Sequence, residues 1–152
     1  MMPVLQTAVE GPLVKQRASL HHLGFVVGSI AQAARPFATA MSASWDGEIT
    51  HDPVQQVRVS FFWPFDARNP VFELVEPAEP QSPVSSFLQN GGGLHHVCYE
   101  VDDLGLALRD AKAVGFSVAA RPAPAVAFHN RRIAWVCSRR RMLMEFLERE
   151  RA

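Results

Sequence analysis

Apolar residues fall into short blocks whose spacing changes from strand-like to helix-like and back, and this progression occurs twice along the chain. The first block, LHHLGFVV at 20–27, reads as a strand. Ser29–Met41 (SIAQAARPFATAM) follows, Ala-rich and loosely helical, and Pro36 within it is expected to kink or break the helix. Runs of β-branched and aromatic residues predict strands at 56–63 (QVRVSFFW) and 70–76. The pattern then restarts with LHHVCYEV at 94–101. In the next stretch, DDLGLALRDAKAVGF, Leu104, Leu108, Ala111 and Val114 share one helical face. Asp102 or Asp103 is placed to cap that helix and Gly115 to end it. Strands are predicted at 126–128, 132–137 and 142–148, Arg121–Ala125 reads as a loop, and Arg139–Arg141 reads as a solvated hairpin turn.

The two halves also match residue for residue. Leu, His, His and the final Val of 20–27 recur 74 positions later, and FELVE at 72–76 is echoed by MEFLE at 144–148. Two copies are too few for a solenoid, so they predict one duplicated domain with pseudo-twofold symmetry. Its parts are an N-terminal extension at 1–19 and a domain at 20–148, with module one at 20–76, a linker at 77–93 and module two at 94–148. The linker (PAEPQSPVSSFLQNGGG) is rich in Pro and Gly, with room for a short helix at Ser82–Gln89. The fold class is α+β.

Composition narrows the function. The chain has 152 residues, 48% hydrophobic and 20% charged, enough for one domain with a packed core and too apolar for a disordered chain. Fifteen Lys+Arg balance fifteen Asp+Glu, which argues against a nucleic-acid partner. No apolar run is long enough to span a membrane. The start, MMPVLQTAVEGPLVKQR, lacks a basic opening followed by an apolar core, so no secretory signal is expected. Cys98 and Cys137 each sit in an apolar run and read as reduced thiols, which makes the cytoplasm the expected compartment.

Four residues hold equivalent places in the two repeats: His22 with His96, and Glu73 with Glu145. Strand alternation puts His22 on one face with Gly24 and Val26, and His21 on the other with Leu23 and Phe25. Across a pseudo-twofold axis, two imidazoles and two carboxylates would converge, a set suited to one divalent ion such as Zn, Ni, Co, Mn or Fe. Glu73 and Glu145 are flanked by apolar residues, where an ionised carboxylate is costly unless paired or metal-bound. His21 and His95 read as structural supports, His51 and His129 as solvated loop residues. Cys98 faces the same way as His96 but lacks a base at nucleophile spacing. The glycines at 91–93 do not form a phosphate loop. Trp63 or Phe65 is a candidate for lining a pocket.

With these residues in place, the sequence resembles the vicinal oxygen chelate superfamily of glyoxalases, bleomycin-resistance proteins and dioxygenases, and within it the methylmalonyl-CoA epimerases. The likeness rests on LHHLGFVV, on VFELVEP followed by SPVSSFLQNGGGLHHVCYEVDDL, and on MLMEFLE, and it covers 20–148. It implies paired βαβββ modules forming a cupped mixed sheet around one metal site, with His22, Glu73, His96 and Glu145 as ligands. It further implies a small-molecule substrate such as an acyl-CoA, a homodimer, and an isomerase or epimerase that removes a proton next to a carbonyl or thioester. Glu145 would carry that proton by loosening its hold on the metal. The alternatives are a glyoxalase-type lyase, an Fe(II) dioxygenase, or a non-catalytic drug-sequestering protein. Two features depart from the epimerase pattern. Val59 stands where some epimerases carry another glutamate, and ARPAPAVAFHNRR replaces a Gly-rich loop, leaving Arg131 or Arg132 to meet an anionic substrate.

Overall fold

A computed structural model describes residues 10–151; the expectations for 1–9 lie outside the described residues. Module one runs β1 (Ser19–Val26), α2 (Ile30–Ala40), β2 (Ala43–Trp45), β3 (Thr50–Asp52), β4 (Val57–Pro64) and β5 (Val71–Pro77). Module two runs β6 (Gly93–Val101), α4 (Leu104–Ala113), β7 (Ser117–Pro124), β8 (Arg132–Cys137) and β9 (Leu143–Glu148). A short α3 (Ser85–Gln89) lies between them, and α1 (Pro12–Lys15) precedes β1. One mixed sheet of nine strands results, in the order β2-β4-β5-β1-β6-β9-β8-β7, with β3 also paired to β4.

The symmetry lies in this order. β1 and β6 pair antiparallel at the centre, and each pairs parallel with the corresponding later strand of its own module, β5 or β9. His22 registers with Cys98, Leu23 with Val97, and Gly24 with His96. The pseudo-twofold axis therefore passes beside Leu23 and Val97, and equivalent residues of the repeats face each other across it.

Each helix covers the convex face of its own half. Ile30 and Ala34 of α2 pack on Phe62, Phe72 and Leu74, while Leu104, Ala107, Leu108 and Ala111 of α4 pack on Ala134, Val136 and Phe146. Ser29 caps α2 by accepting from Gln32 N at 3.2 Å, and Asp103 caps α4 by accepting from Leu106 N at 2.9 Å. Gly115, at φ +96°, turns the chain out of α4. Pro36 lies within α2 without ending it, because it sits on the exposed side, where a carbonyl left without its donor can bond to water. Residues 13–18, just before β1, are tied down rather than free. Leu13 and Ala18 pack on the α4 cluster, and Gln16 donates to Asp110 at 3.2 Å.

Three local expectations are overturned. Residues 126–128 form a 3-10 turn rather than a strand, and 121–125 is largely strand, within β7. Pro122 and Pro124 disguise β7 in the sequence. It is an edge strand, so its prolines need not donate to an outer neighbour. β2 and β3 are three residues each, too short to show alternation, and His51 lies exposed on β3 rather than in a loop.

Candidate metal centre

The concave face of the sheet carries the chemistry. His22, Glu73, His96 and Glu145 are 0%, 5%, 4% and 2% exposed. On β5 and β9 the alternation that sends Phe72, Leu74 and Phe146 to the helices sends Glu73 and Glu145 inward. The four side chains meet at their tips. His22 Nε2 lies 3.1 Å from His96 Nε2, 3.0 Å from Glu73 Oε2 and 3.4 Å from Glu145 Oε2. His96 Nε2 lies 3.2 Å from each of the same two carboxylate oxygens. Donors held about 2.0–2.2 Å from one ion stand roughly 3 Å from each other, so the spacing of this set fits a single divalent cation.

The two strands that supply the histidines are built alike. The β1–β6 register slips twice: Leu20 pairs with Tyr99 and His22 with Cys98, then Gly24 pairs with His96 and Phe25 with Leu94. His21 and His95 are the residues left unpaired, each in a bulge directly before an inward histidine. The bulges overturn the expected alternation at His21. Instead of pointing toward Leu23 and Phe25, its ring packs edge-on to Phe128 and His22. His21 Nδ1 lies 2.9 Å from His22 Nδ1, and His95 Nδ1 lies 2.9 Å from His96 Nδ1. Where His22 and His96 present Nε2 lone pairs inward, each Nδ1–H donates to the histidine before it, which fixes the tautomer. Burial, reinforced by the neighbouring histidine, lowers the pKa of both supports, that of His95 to about 4, which keeps them neutral acceptors.

Within the cluster, burial disfavours the imidazolium of His22, but Glu73, Cys98 and Glu145 together outweigh it and raise its pKa well above the ordinary value. The same contest raises His96, through hydrogen bonds to Glu145 and Glu73. Burial likewise disfavours the Glu73 and Glu145 carboxylates, yet the two histidines hold both below the usual range. Burial and the Glu145 charge push the Cys98 thiol up to about 12.

Glu73, His96 and Glu145 open onto a cavity of about 230 Å³ whose other walls are mostly apolar, including Val59, Val75, Ile133 and Trp135. Trp135 packs edge-on to His96 at 4.7 Å between centroids, and Phe128 stacks on His22 at 5.8 Å. Asp52, not singled out in the sequence, is buried at the cavity wall. It accepts from Val54 N, Gln55 N and Val126 N, each at 3.0 Å, and so ties β3 to the 3-10 turn that carries Phe128. Its one sequence signal is Asp-Pro, a turn starter. Other candidates fall outside the site. Arg131 pairs with Glu100 at 2.6 Å and Arg132 with Glu148 at 2.8 Å, away from the cavity lining. Trp63 and Phe65 are exposed and do not line it, and His129 is exposed.

Comparison with known proteins agrees with this geometry. Residues 21–135 match the family model of the Glyoxalase/Bleomycin resistance protein/Dioxygenase superfamily. The chain is 31% identical over 120 residues to an ethylmalonyl-CoA/methylmalonyl-CoA epimerase of Cereibacter sphaeroides, a match spanning 77% of this chain and 86% of that one. It is 33% identical over 95 residues to the mitochondrial methylmalonyl-CoA epimerase of Mus musculus, covering 61% of this chain and 51% of the mouse protein. The fold superposes on methylmalonyl-CoA epimerase from Mycobacterium tuberculosis with a TM-score of 0.73 at 21% identity, over 98% of this chain and 95% of that one. Duplicated modules, the matched family model and the relatives agree: the chain belongs to the glyoxalase/bleomycin resistance/dioxygenase superfamily.

Proposed function

We propose that this chain is a metal-dependent isomerase or epimerase that removes a proton next to a carbonyl or thioester, in the manner of the methylmalonyl-CoA epimerases it resembles. One observation carries the reading. Four buried donors, two from each module, have the mutual spacing that a single divalent ion requires. His22, Glu73, His96 and Glu145 would hold that ion, which when bound supplies Lewis-acid polarisation of a carbonyl oxygen. The apolar cavity walls exclude water from the reacting end of the substrate. Glu145 takes the α-proton: the C–H bond breaks, its electron pair moves toward the carbonyl, and the proton resides on a carboxylate oxygen. Burial, which disfavours the charged carboxylate, makes that oxygen readier to accept a proton. Phe128 and Trp135 hold the two imidazoles in place during the exchange.

A drug-sequestering protein has no need of four buried metal donors, and an Fe(II) dioxygenase uses two histidines and one carboxylate with open positions, so Glu73 counts against it. The proposal includes a homodimer in the cytoplasm, and sedimentation as a strict monomer would remove the first part. Among the described residues no helix is long and apolar enough to cross a membrane. The deciding experiment follows solvent deuterium into the α-carbon of methylmalonyl-CoA and ethylmalonyl-CoA after the purified protein is loaded in turn with Co, Mn, Zn, Ni and Fe. Metal-dependent exchange is expected. Its absence with every ion and both thioesters overturns the reading.

A further inference from the structure

We infer that His95 selects the substrate: its Nε2–H donates a hydrogen bond to a second, uncharged oxygen of the ligand, several bonds away from the carbonyl that reacts at the metal centre. The inference rests on the proposed function for the role of His96 as a metal ligand. With Nε2 of His96 turned to the ion, its Nδ1 carries the proton and donates to His95 Nδ1 at 2.9 Å. A neutral imidazole that accepts at Nδ1 carries its own proton on Nε2. The usual support of a metal-bound histidine is a carboxylate or a backbone carbonyl, which only accepts. A histidine in that place accepts and also presents a further donor on its other side.

That donor has an open side. His95 lines the cavity, and its Nε2 has no hydrogen-bond partner among the described residues and is not enclosed by protein. The ring is held between aromatic neighbours, with Phe87 edge-on at 4.7 Å and Trp135 at 6.2 Å between centroids. Because Nδ1 faces His96, Nε2 is directed away from the four metal donors. The oxygen it meets is therefore not the one at the metal but another, farther along the ligand. No Lys or Arg lines the cavity, so the site suits an uncharged acceptor such as an amide or ester carbonyl. A ligand that lacks this oxygen would leave the donor unpaired among apolar walls, and that difference gives discrimination. The repeat supplies the comparison. His21 supports His22 in the same way, but its ring packs edge-on to Phe128 and does not line the cavity. The two supports are equivalent toward the metal and differ toward the substrate.

The test compares two thioesters of methylmalonate on Zn-loaded protein. The N-acetylcysteamine thioester carries an amide carbonyl; the S-pentyl thioester replaces the amide by methylenes. Calorimetry gives the affinity for each, and solvent deuterium entering the α-carbon gives turnover. Asn at position 95 puts an acceptor oxygen near the place of Nδ1 and nothing at that of Nε2, whereas Gln puts an amide nitrogen near Nε2 and leaves the place of Nδ1 empty. His95→Asn should therefore keep tight metal binding and cut the affinity ratio of the amide to the pentyl thioester by about three- to tenfold. His95→Gln should keep the ratio and lower metal affinity by about 10–100-fold, a loss that excess Zn overcomes. His21→Asn should leave the ratio at its wild-type value. Melting temperature confirms that each variant is folded. A ratio unchanged in His95→Asn, or lost in His95→Gln at saturating Zn, overturns the inference. Binding of both thioesters without exchange in the wild type would remove the proposed function, while the affinity ratio still decides the role of His95.

Discussion

The His96 imidazole occupies the space that a side chain on residue 24 would fill. Gly24 registers opposite His96 across the central strand pair, and a Cβ built on it would overlap the ring. At the symmetric position the repeats differ: Cys98 stands opposite His22, where module one has glycine. The first expectation follows. Gly24→Ala should leave the sheet folded but push His96 off its position, lowering metal affinity by about 10–100-fold, the usual cost of disturbing a ligand's support. Metal content after dialysis against a weak chelator is the measurement, and full retention would show that His96 is not a ligand held by this contact.

His22→Ala and His96→Ala should each abolish tight metal binding while the protein still folds. An ion that binds only the native state stabilises it by about 2.7 kcal/mol when present at 100-fold over Kd, so both variants should melt lower than wild type in added metal and show no metal-dependent gain. A variant that keeps its full metal complement removes that histidine from the ligand set.

The two glutamates should separate. An amide oxygen can still coordinate an ion but cannot take up a proton, so Glu145→Gln should lose about 10²–10⁴-fold in deuterium exchange with most of its metal retained. Glu73→Gln should be milder. Equal losses in the two would reduce both to plain ligands.

Acidity should act in opposite directions on metal-free and metal-loaded protein. The folded-state pKa values of His22 and His96 are raised above 6.5, so without metal their contribution to stability is full below 6.5 and is lost as pH rises through the folded value. Those of Glu73 and Glu145 are lowered below 4.5, so their contribution is present above 4.5 and is lost as pH falls through the folded values. Chelated protein should therefore be most stable in mildly acidic solution and weaken toward alkaline pH. Metal must displace the protons on the histidines, so its affinity should rise over that same alkaline interval. Melting curves across pH, with and without metal, check both signs; parallel curves would contradict them.

The repeat made the centre of the molecule legible. Leu-His-His at 20 and 94, with Glu73 and Glu145 in matching strands, was enough to place four donors about one axis, because a duplicated strand pair must face itself. Strand alternation did not reveal the bulges at His21 and His95. A bulge is set by the partner strand's register, and that information lies 74 residues away. β7 was hidden for a related reason: prolines forbid a central strand but not an edge, and the position of an edge is a property of the whole sheet. Asp52 carried no periodic signal, since its three partners are backbone amides that come together only after folding.

Because each module supplies one histidine and one glutamate, neither half alone offers more than two of the four donors. A bound ion would then act as a rivet through the β1–β6 seam. Opening the seam would strip away half of its ligands at once, so release of the ion and separation of the halves become one event. The connection at 78–92 keeps the halves close and also packs Val84 into the core of module one and against the cavity. Cutting it, or encoding the modules as two chains, should leave the rivet in place for as long as the seam is closed.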